Sequence, residues 1–378
     1  MDKRCKILFL VTESWYFLSH RLALARACRD HGWDVVVATR VSPEWPIDEP
    51  GIRVVPLTMR RTGRNPIEEV VALVQLYRML RREQPDIVHA VGLKPVLYAA
   101  TVGRFAGIRR MVAALAGMGY IFMSASLRIG MIRAALVRWL RLALRRRGVW
   151  LILQNGDDAD MLIGGGVVTA SQVRIIRGSG VDLDYFQPEP EPDGPVVFAV
   201  VSRMLTDKGI CEVVWASREM QRLSLPVTVQ LVGSPDLDNP TSLSEAQLRS
   251  WHAEGCIQWL GQQSDICAIW RQAHVCVLPS YREGLPKTLL EAAACGRPII
   301  TTDVPGCREV VRPEVDGLLV PVENWTSLAA AMIRLAASPE LRREFGANAR
   351  QLAEAEFGSE AIIAQVISLY DHILADCP

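Results

Sequence analysis

Residues 275–301 read VCVLPSYREGLPKTLLEAAACGRPIIT. Four apolar residues, Val275 to Leu278, stop at Pro279-Ser280; a turn around Gly284 follows, a helical pattern opens near Pro286, and a second apolar run begins at Pro298. A short unbroken apolar run is the pattern of a strand covered on both faces, and proline suits a first helical turn. Strand, helix and strand in that order are the repeating unit of a parallel sheet.

The same alternation extends in both directions. Segments 6–11, 34–38, 53–57, 86–89, 110–114 and 150–153 read as strands, with helices over 18–31, 66–83 and 94–105. At 187–195, QPEPEPDGP, four prolines among acidic residues and a glycine extend neither element, and strands resume at 196–201, 227–232, 257–260, 275–278 and 298–301. At 378 residues the chain exceeds what one core holds. The fold expected is α/β: two Rossmann-like doubly wound parallel-sheet domains, residues 1–187 with the last helix, 359–378, and residues 188–358, the second joined through the proline-rich stretch as linker.

Charge divides the halves. Residues 1–180 hold 27 Lys+Arg against 14 Asp+Glu, a net of +13, and the remainder 15 against 27, a net of −12. Ile87 to Gly156 contains no acid and 11 basic residues, so an anionic partner is expected on that face. Interleaved Leu, Ile and Trp favour a lipid surface over nucleic acid, because 126–150 puts Ile129, Ile132, Leu136, Trp139, Leu140 and Ala143 on one helical face and Arg138, Arg141 and Arg145 on the opposite one. A crossover helix with solvated arginines has the same pattern. Nine cysteines, odd in number and without a CxxC pair, read as reduced thiols of a cytoplasmic protein, not as a disulfide frame or metal site. The opening MDKRCKILFLVTES reads as a first strand rather than a signal peptide, and 111–127 carries too many Gly and Ser for a membrane span.

Two loops of the second domain are built for anions. After Leu278 the backbone N–H groups of Gly284, Leu285, Lys287 and Thr288 are expected to face the strand end with a helix dipole behind them, which suits phosphate. Glu291 one turn further in is placed to accept from ribose-like hydroxyls, and Glu283 from sugar hydroxyls; a capped helix with two solvated glutamates has the same spacing. After Val201, the run SRMLTDKG brings Arg203 and Lys208 to a strand's carboxyl end, where a diphosphate would sit. In the first domain His89 ends a strand, and Ser14, Gly117 and Gly119 lie in loops on the same edge. A histidine there suits a substrate hydroxyl or a general base, though strand-end histidines are commonly satisfied within the core.

The E-x7-E element from Glu283 to Glu291 within REGLPKTLLEAAACGRPIITTDVPGCREVV, the SRMLTDKG loop, and the strand ends LVG at Gly233 and QWLG at Gly261 resemble those of retaining glycosyltransferases of family 4 with the GT-B fold. VTESWYFLSHRLALARACRDHGWDVVVAT, LKPVLYAATVGRFAGIRRMVAALAGMGYIF and QNGDDADMLIGGGVV are similar to bacterial enzymes that build capsule, O-antigen or other surface glycans on polyprenyl diphosphate. The resemblance implies two domains facing a central cleft and a nucleotide-sugar donor, with uracil as the base. It gives Arg203 and Lys208 the donor diphosphate, Glu291 the ribose, and Glu283 with Gly284, Leu285, Pro286, Lys287 and Thr288 the donor sugar. Gly233 and Trp259 flank the nucleotide, and His89 stands beside the reacting sugar. It further implies no metal or other cofactor, a polyprenyl-diphosphate-linked acceptor, and peripheral association with the inner face of the membrane. Two departures stand out: the loop after the first strand, TESWYFLSH, has no glycine, and Val91 stands where many members carry a second histidine. A dinucleotide-dependent oxidoreductase is disfavoured because no strand runs into G-x-G-x-x-G, and a secreted sugar-binding protein because of the cysteines and the absent leader pattern. A transferase for a soluble acceptor remains the alternative.

Overall fold

A computed structural model describes residues 4–61, 65–115 and 127–375. The chain divides into two units, Met1–Ser179 with Ile362–Pro378, and Gly180–Ala361. In the first, β1 (Lys6–Glu13), β2 (Asp34–Arg40), β3 (Ile52–Pro56), β4 (Ile87–Val91), β5 (Met111–Leu115), β6 (Val149–Leu153) and β7 (Val173–Ile175) form a sheet of order β3-β2-β1-β4-β5-β6-β7, parallel throughout. In the second, β8 (Val196–Val201), β9 (Val227–Val232), β10 (Gln258–Gly261), β11 (Val275–Leu278), β12 (Ile299–Thr302) and β13 (Gly317–Val320) follow the order β10-β9-β8-β11-β12-β13, again parallel. Each order reverses direction once, between β1 and β4 and between β8 and β11. Ligands of doubly wound sheets bind outside the carboxyl ends of the strands at such points.

The apolar runs are unbroken because both faces of each sheet are covered. Along β1, Leu8 and Leu10 enter one core with Val36, Ala38 and Val88, while Ile7, Phe9 and Val11 enter another with Val35, Val37 and Ile87. In the second unit Ala199, Cys276 and Leu278 face one core, and Phe198, Val200, Val275 and Val277 the other. Each fully buried Leu, Ile, Val or Phe contributes about 1.5–3 kcal/mol. The C-terminal helix Ser359–Ala375 places Ile362, Val366, Leu369, Tyr370 and Ile373 in the core that holds Phe9.

Three expectations change. The proline-rich stretch is no free linker: the Glu191 carboxylate accepts a two-pronged bond from Arg342 at 2.8 and 3.0 Å, Pro192 O lies 2.9 Å from His274 Nε2, and upstream Val181 and Phe186 are already in the second unit's core. The unit boundary accordingly falls at Ser179/Gly180 rather than at residue 187. The glycine-free loop after β1 is a helix, Ser14–His20, and the helix expected over 18–31 breaks at Arg21, beyond which Leu22–Asp30 forms a second one.

Candidate active site

The carboxyl ends of β8 and β11 lie side by side, with Val275 and Cys276 in register with Phe198 and Ala199. The loop after β8 passes through a short 3-10 turn, Thr206–Lys208, to Gly209, which adopts φ +70°. A Cβ there would stand 2.2 Å from Pro279 O, so only glycine lets the two loops touch. The loop after β11 is held from the opposite side: a Cβ on Gly306 (φ +81°) would lie 2.3 Å from Gly284 O. Thr301 Oγ1 donates to Leu278 O at 2.7 Å and Thr302 Oγ1 donates to Ser280 O. Tyr281 N–H donates to Asp207 O at 2.9 Å and its hydroxyl to Glu212 at 2.8 Å, tying the Lys208 loop to the Glu283 loop.

This edge gathers Arg203, Lys208, Glu283, Gly284, Leu285, Pro286, Lys287, Thr288 and Glu291. Lys208 Nζ is bonded to Glu283 Oε1, which also accepts from Ser280 Oγ at 2.7 Å. Arg203 pairs with Asp236 at 2.6 Å, and Lys287 with Glu291 at 3.5 Å. Each of these cations therefore already has a carboxylate partner, which an incoming anion would share or displace. Glu291 keeps 8% of its surface exposed, and burial raises its carboxyl pKa while Lys287 opposes the shift. The helix Lys287–Ala294 begins at Pro286 with no side-chain cap and no acid in its first turn, and the buried Thr288 hydroxyl has no partner among the described residues. An uncapped helix start with an orphan hydroxyl suits an anion's oxygens. Leu285 instead turns into the core. Gly233 donates to Gly261 O at 2.7 Å and accepts from the Trp259 indole at 2.9 Å, so both strand ends lie beside the same edge. Ser280, Asp236, Glu212 and Tyr281 went unmarked in the sequence; Glu212 stood one turn after Lys208-Gly209, the one cue available.

The first unit places its candidates differently. His89 lies inside β4 rather than at its end, is 1% exposed, stacks on Phe9 at 5.4 Å and is hydrogen-bonded through Nδ1 to the Tyr370 hydroxyl. Burial holds it well below the usual imidazole range and Arg21 adds to that, leaving a neutral histidine whose Nε2 has no partner among the described residues. Ser14 is fully buried and its hydroxyl accepts from Ser42 N–H at 3.1 Å. Gly117 and Gly119 lie outside the described residues. The helix Leu127–Leu144 buries Leu136, Leu140, Ala143 and Leu144 in the sheet's core, so this apolar face is not free for acyl chains. Arg138, Arg141 and Arg145 are all exposed, and Arg141 in addition donates to Gly165 O at 2.5 Å. Trp139 donates to Thr101 Oγ1 at 3.0 Å and stays 40% exposed, beside Leu142 at 71%. Among the described residues no cluster of three or more His, Cys, Asp or Glu is placed to hold a metal ion, and no helix is long and apolar enough to cross a membrane.

Residues 182–352 match the model for glycosyl transferases group 1, and residues 6–146 the glycosyl transferase 4-like model. The chain belongs to the group 1, GT4-like glycosyltransferases. The two parallel sheets are the two domains of a GT-B fold, and sucrose-phosphate synthase from Thermosynechococcus elongatus superposes with a TM-score of 0.81 at 23% identity, covering 99% of this chain and 100% of its own. Among curated relatives, the transferase is 25% identical to the N,N'-diacetylbacillosaminyl-diphospho-undecaprenol alpha-1,3-N-acetylgalactosaminyltransferase of Campylobacter jejuni over 95% of this chain and 98% of that one. It is 26% identical to the UDP-Gal:alpha-D-GlcNAc-diphosphoundecaprenol alpha-1,3-galactosyltransferase of Escherichia coli over 71% of each.

Proposed function

We propose that the transferase moves a sugar from a UDP-sugar, with retention of anomeric configuration, to a saccharide carried on polyprenyl diphosphate at the cytoplasmic face of a membrane. The observation that carries this is the cluster at the β8/β11 crevice, where Lys208, Glu283 and Ser280 meet beside the uncapped helix start at Lys287. Arg203, Lys208 and the helix start would take the donor diphosphate, Glu291 the ribose and Glu283 the transferred sugar. As the bond from C1 to the β-phosphate oxygen breaks, charge grows on that oxygen, and fixed cations with a helix dipole stabilise it without a divalent metal. The acceptor hydroxyl forms its bond to C1 on the face the phosphate leaves, and its proton passes to the departing phosphate oxygen. The acceptor class is supported by the two undecaprenol-linked relatives, and membrane association by Arg138 and Arg145 flanking the exposed Trp139 and Leu142. A soluble acceptor is the second reading, favoured by the burial of that helix's main apolar face.

The test is transfer from a panel of UDP-sugars to undecaprenyl-diphosphate saccharides and to free sugars, with and without EDTA. Activity on the lipid-linked acceptor that survives chelation is expected; transfer only to free sugars would leave the second reading standing.

A further inference from the structure

Arg21 is 6% exposed, yet its guanidinium makes one hydrogen bond among the described residues, from Nη1 to His20 O at 3.1 Å, and its Nε has no partner. The partner of Nη1 is the His20 carbonyl at the end of the preceding helix, and no carboxylate pairs with Arg21 among the described residues. Burial keeps His89 neutral and raises the Tyr370 phenol well above its usual value. Glu13, the acid at the end of β1, is occupied by Arg40 at 3.0 and 2.8 Å. A guanidinium taken from water without a counter-charge is costly, and such a group is retained where a partner returns the energy.

Arg21 is also the N-cap of the nine-residue helix Leu22–Asp30, which has no side-chain cap and no acid in its first turn. The first bond within this helix runs from Ala25 N–H to Arg21 O at 2.9 Å, so the N–H groups of Leu22, Ala23 and Leu24 precede it. Because the helix leads into the amino end of β2 at Asp34, its own start lies toward the carboxyl edge of the sheet. That is the edge of the β1/β4 reversal. A helix start whose N-cap residue is an arginine without a carboxylate partner among the described residues offers donors and positive charge to a tetrahedral anion.

We infer that Arg21 and the start of the Leu22–Asp30 helix form a phosphoryl-binding subsite of the first unit, which holds a substrate diphosphate. This subsite replaces the glycine-rich loop that TESWYFLSH lacks. Which diphosphate it holds, donor or polyprenyl, rests on the function proposed above; the anion subsite does not.

The test uses the full chain carrying Lys208→Ala, which removes the lysine from the second unit's anion site. Thermal shift and calorimetry with inorganic pyrophosphate are then read for the part of the binding that depends on Arg21. Binding is expected in this background and is expected to weaken roughly tenfold or more when Arg21→Met or Arg21→Gln is added. Without ligand, the Arg21→Met variant is expected to melt no lower than its parent, because an unpaired buried charge has been removed. Farnesyl diphosphate competing where UDP does not identifies the acceptor as the source, and the reverse identifies the donor. Pyrophosphate binding unchanged in both Arg21 variants overturns the inference. Arg21-dependent binding in a protein that turns over no UDP-sugar would keep the subsite and remove the proposed function.

Discussion

Replacing Lys208 with alanine separates the two roles this lysine has in the structure. It is bonded to Glu283, and the two side chains keep 19% and 12% of their surface exposed. Without Lys208 the Glu283 carboxylate retains the Ser280 hydroxyl at 2.7 Å but loses its counter-charge. A charged hydrogen bond in such partly desolvated surroundings is worth about 2 kcal/mol. In a unit of this size that is a fall of about 4–8 °C in the melting midpoint. Adding Glu283→Gln removes the stranded charge and should restore most of that loss, since the two side chains are coupled. Activity should not follow stability. If Lys208 neutralises the leaving diphosphate, Lys208→Ala lowers kcat/KM by roughly a hundredfold or more, and the double variant stays at or below that level. The assay is initial-rate transfer with the donor varied, alongside melting followed by circular dichroism. A double variant that recovers both stability and turnover would refute the assignment, because Lys208 would then act only by holding Glu283 in place.

Glu291 predicts opposite pH trends for stability and donor binding. Its folded pKa is raised above 4.5 by burial, so the folded state binds the proton more tightly than the unfolded one. Its contribution to stability is therefore full below pH 4.5 and declines as pH rises through the folded value, whereas a hydrogen bond from ribose to the carboxylate needs the ionised form. UDP affinity should rise with pH across that window in the wild type and stay flat in Glu291→Gln, measured by calorimetry; parallel profiles would remove Glu291 from the ribose. Tyr281→Phe leaves Glu212, 4% exposed and with Oε2 already unpartnered, without its 2.8 Å donor. It should cost about 1–3 kcal/mol in urea melts, with a smaller loss marking the loop tie as dispensable. Arg138→Glu with Arg145→Glu should abolish sedimentation with anionic vesicles at unchanged melting temperature, while Arg141→Glu should also lower the melting temperature by breaking the bond to Gly165 O. Vesicle binding that persists would place any membrane contact elsewhere.

The elements read most sharply in the sequence are those whose local pattern and tertiary place agree. Val196–Val201, Val227–Val232 and Val275–Leu278 are central apolar runs, and Pro66–Glu83 carries its own stop and start, with Asn65 accepting from Ile67 N–H at 3.0 Å and Gln84 in the left-handed conformation. The short strands Val173–Ile175 and Gly317–Val320 escaped because edge strands need only one neighbour and show little apolar run. His89 shows a deeper limit. In a sheet covered on both sides every side chain points into some core, so alternation cannot distinguish a ligand-facing histidine from a packed one. The continuation of β4 to Val91 and the arrival of Tyr370 from 281 positions away show how its ring is packed, and its Nε2 stays without a partner among the described residues. The loops after β8 and β11, where the anion site is proposed, were legible as strand-to-helix turns from proline, glycine and charge. The Lys208–Glu283 bond spans 75 positions and was not.

On the proposed function, the pairing of charges bears on how each unit would handle its anion. In the second unit Arg203, Lys208 and Lys287 face Asp236, Glu283 and Glu291, so the site is close to neutral before a ligand arrives. A diphosphate binding there exchanges one set of ion pairs for another. The net gain is smaller than free cations would give, and product leaves at correspondingly lower cost. Arg21 has no such partner, and the segment from Ile87 to Gly156 has no acid at all. On the proposed function, the paired site of the second unit would let a nucleotide come and go at each turnover, while Arg21, which has no carboxylate partner among the described residues, would hold its anion for longer than one exchange. On this argument raised salt should weaken acceptor binding more steeply than donor binding, since an ion exchanged for an ion releases little counter-charge and an ion bound to a bare cation releases it in full. Equal salt slopes for the two substrates in initial-rate measurements would refute it.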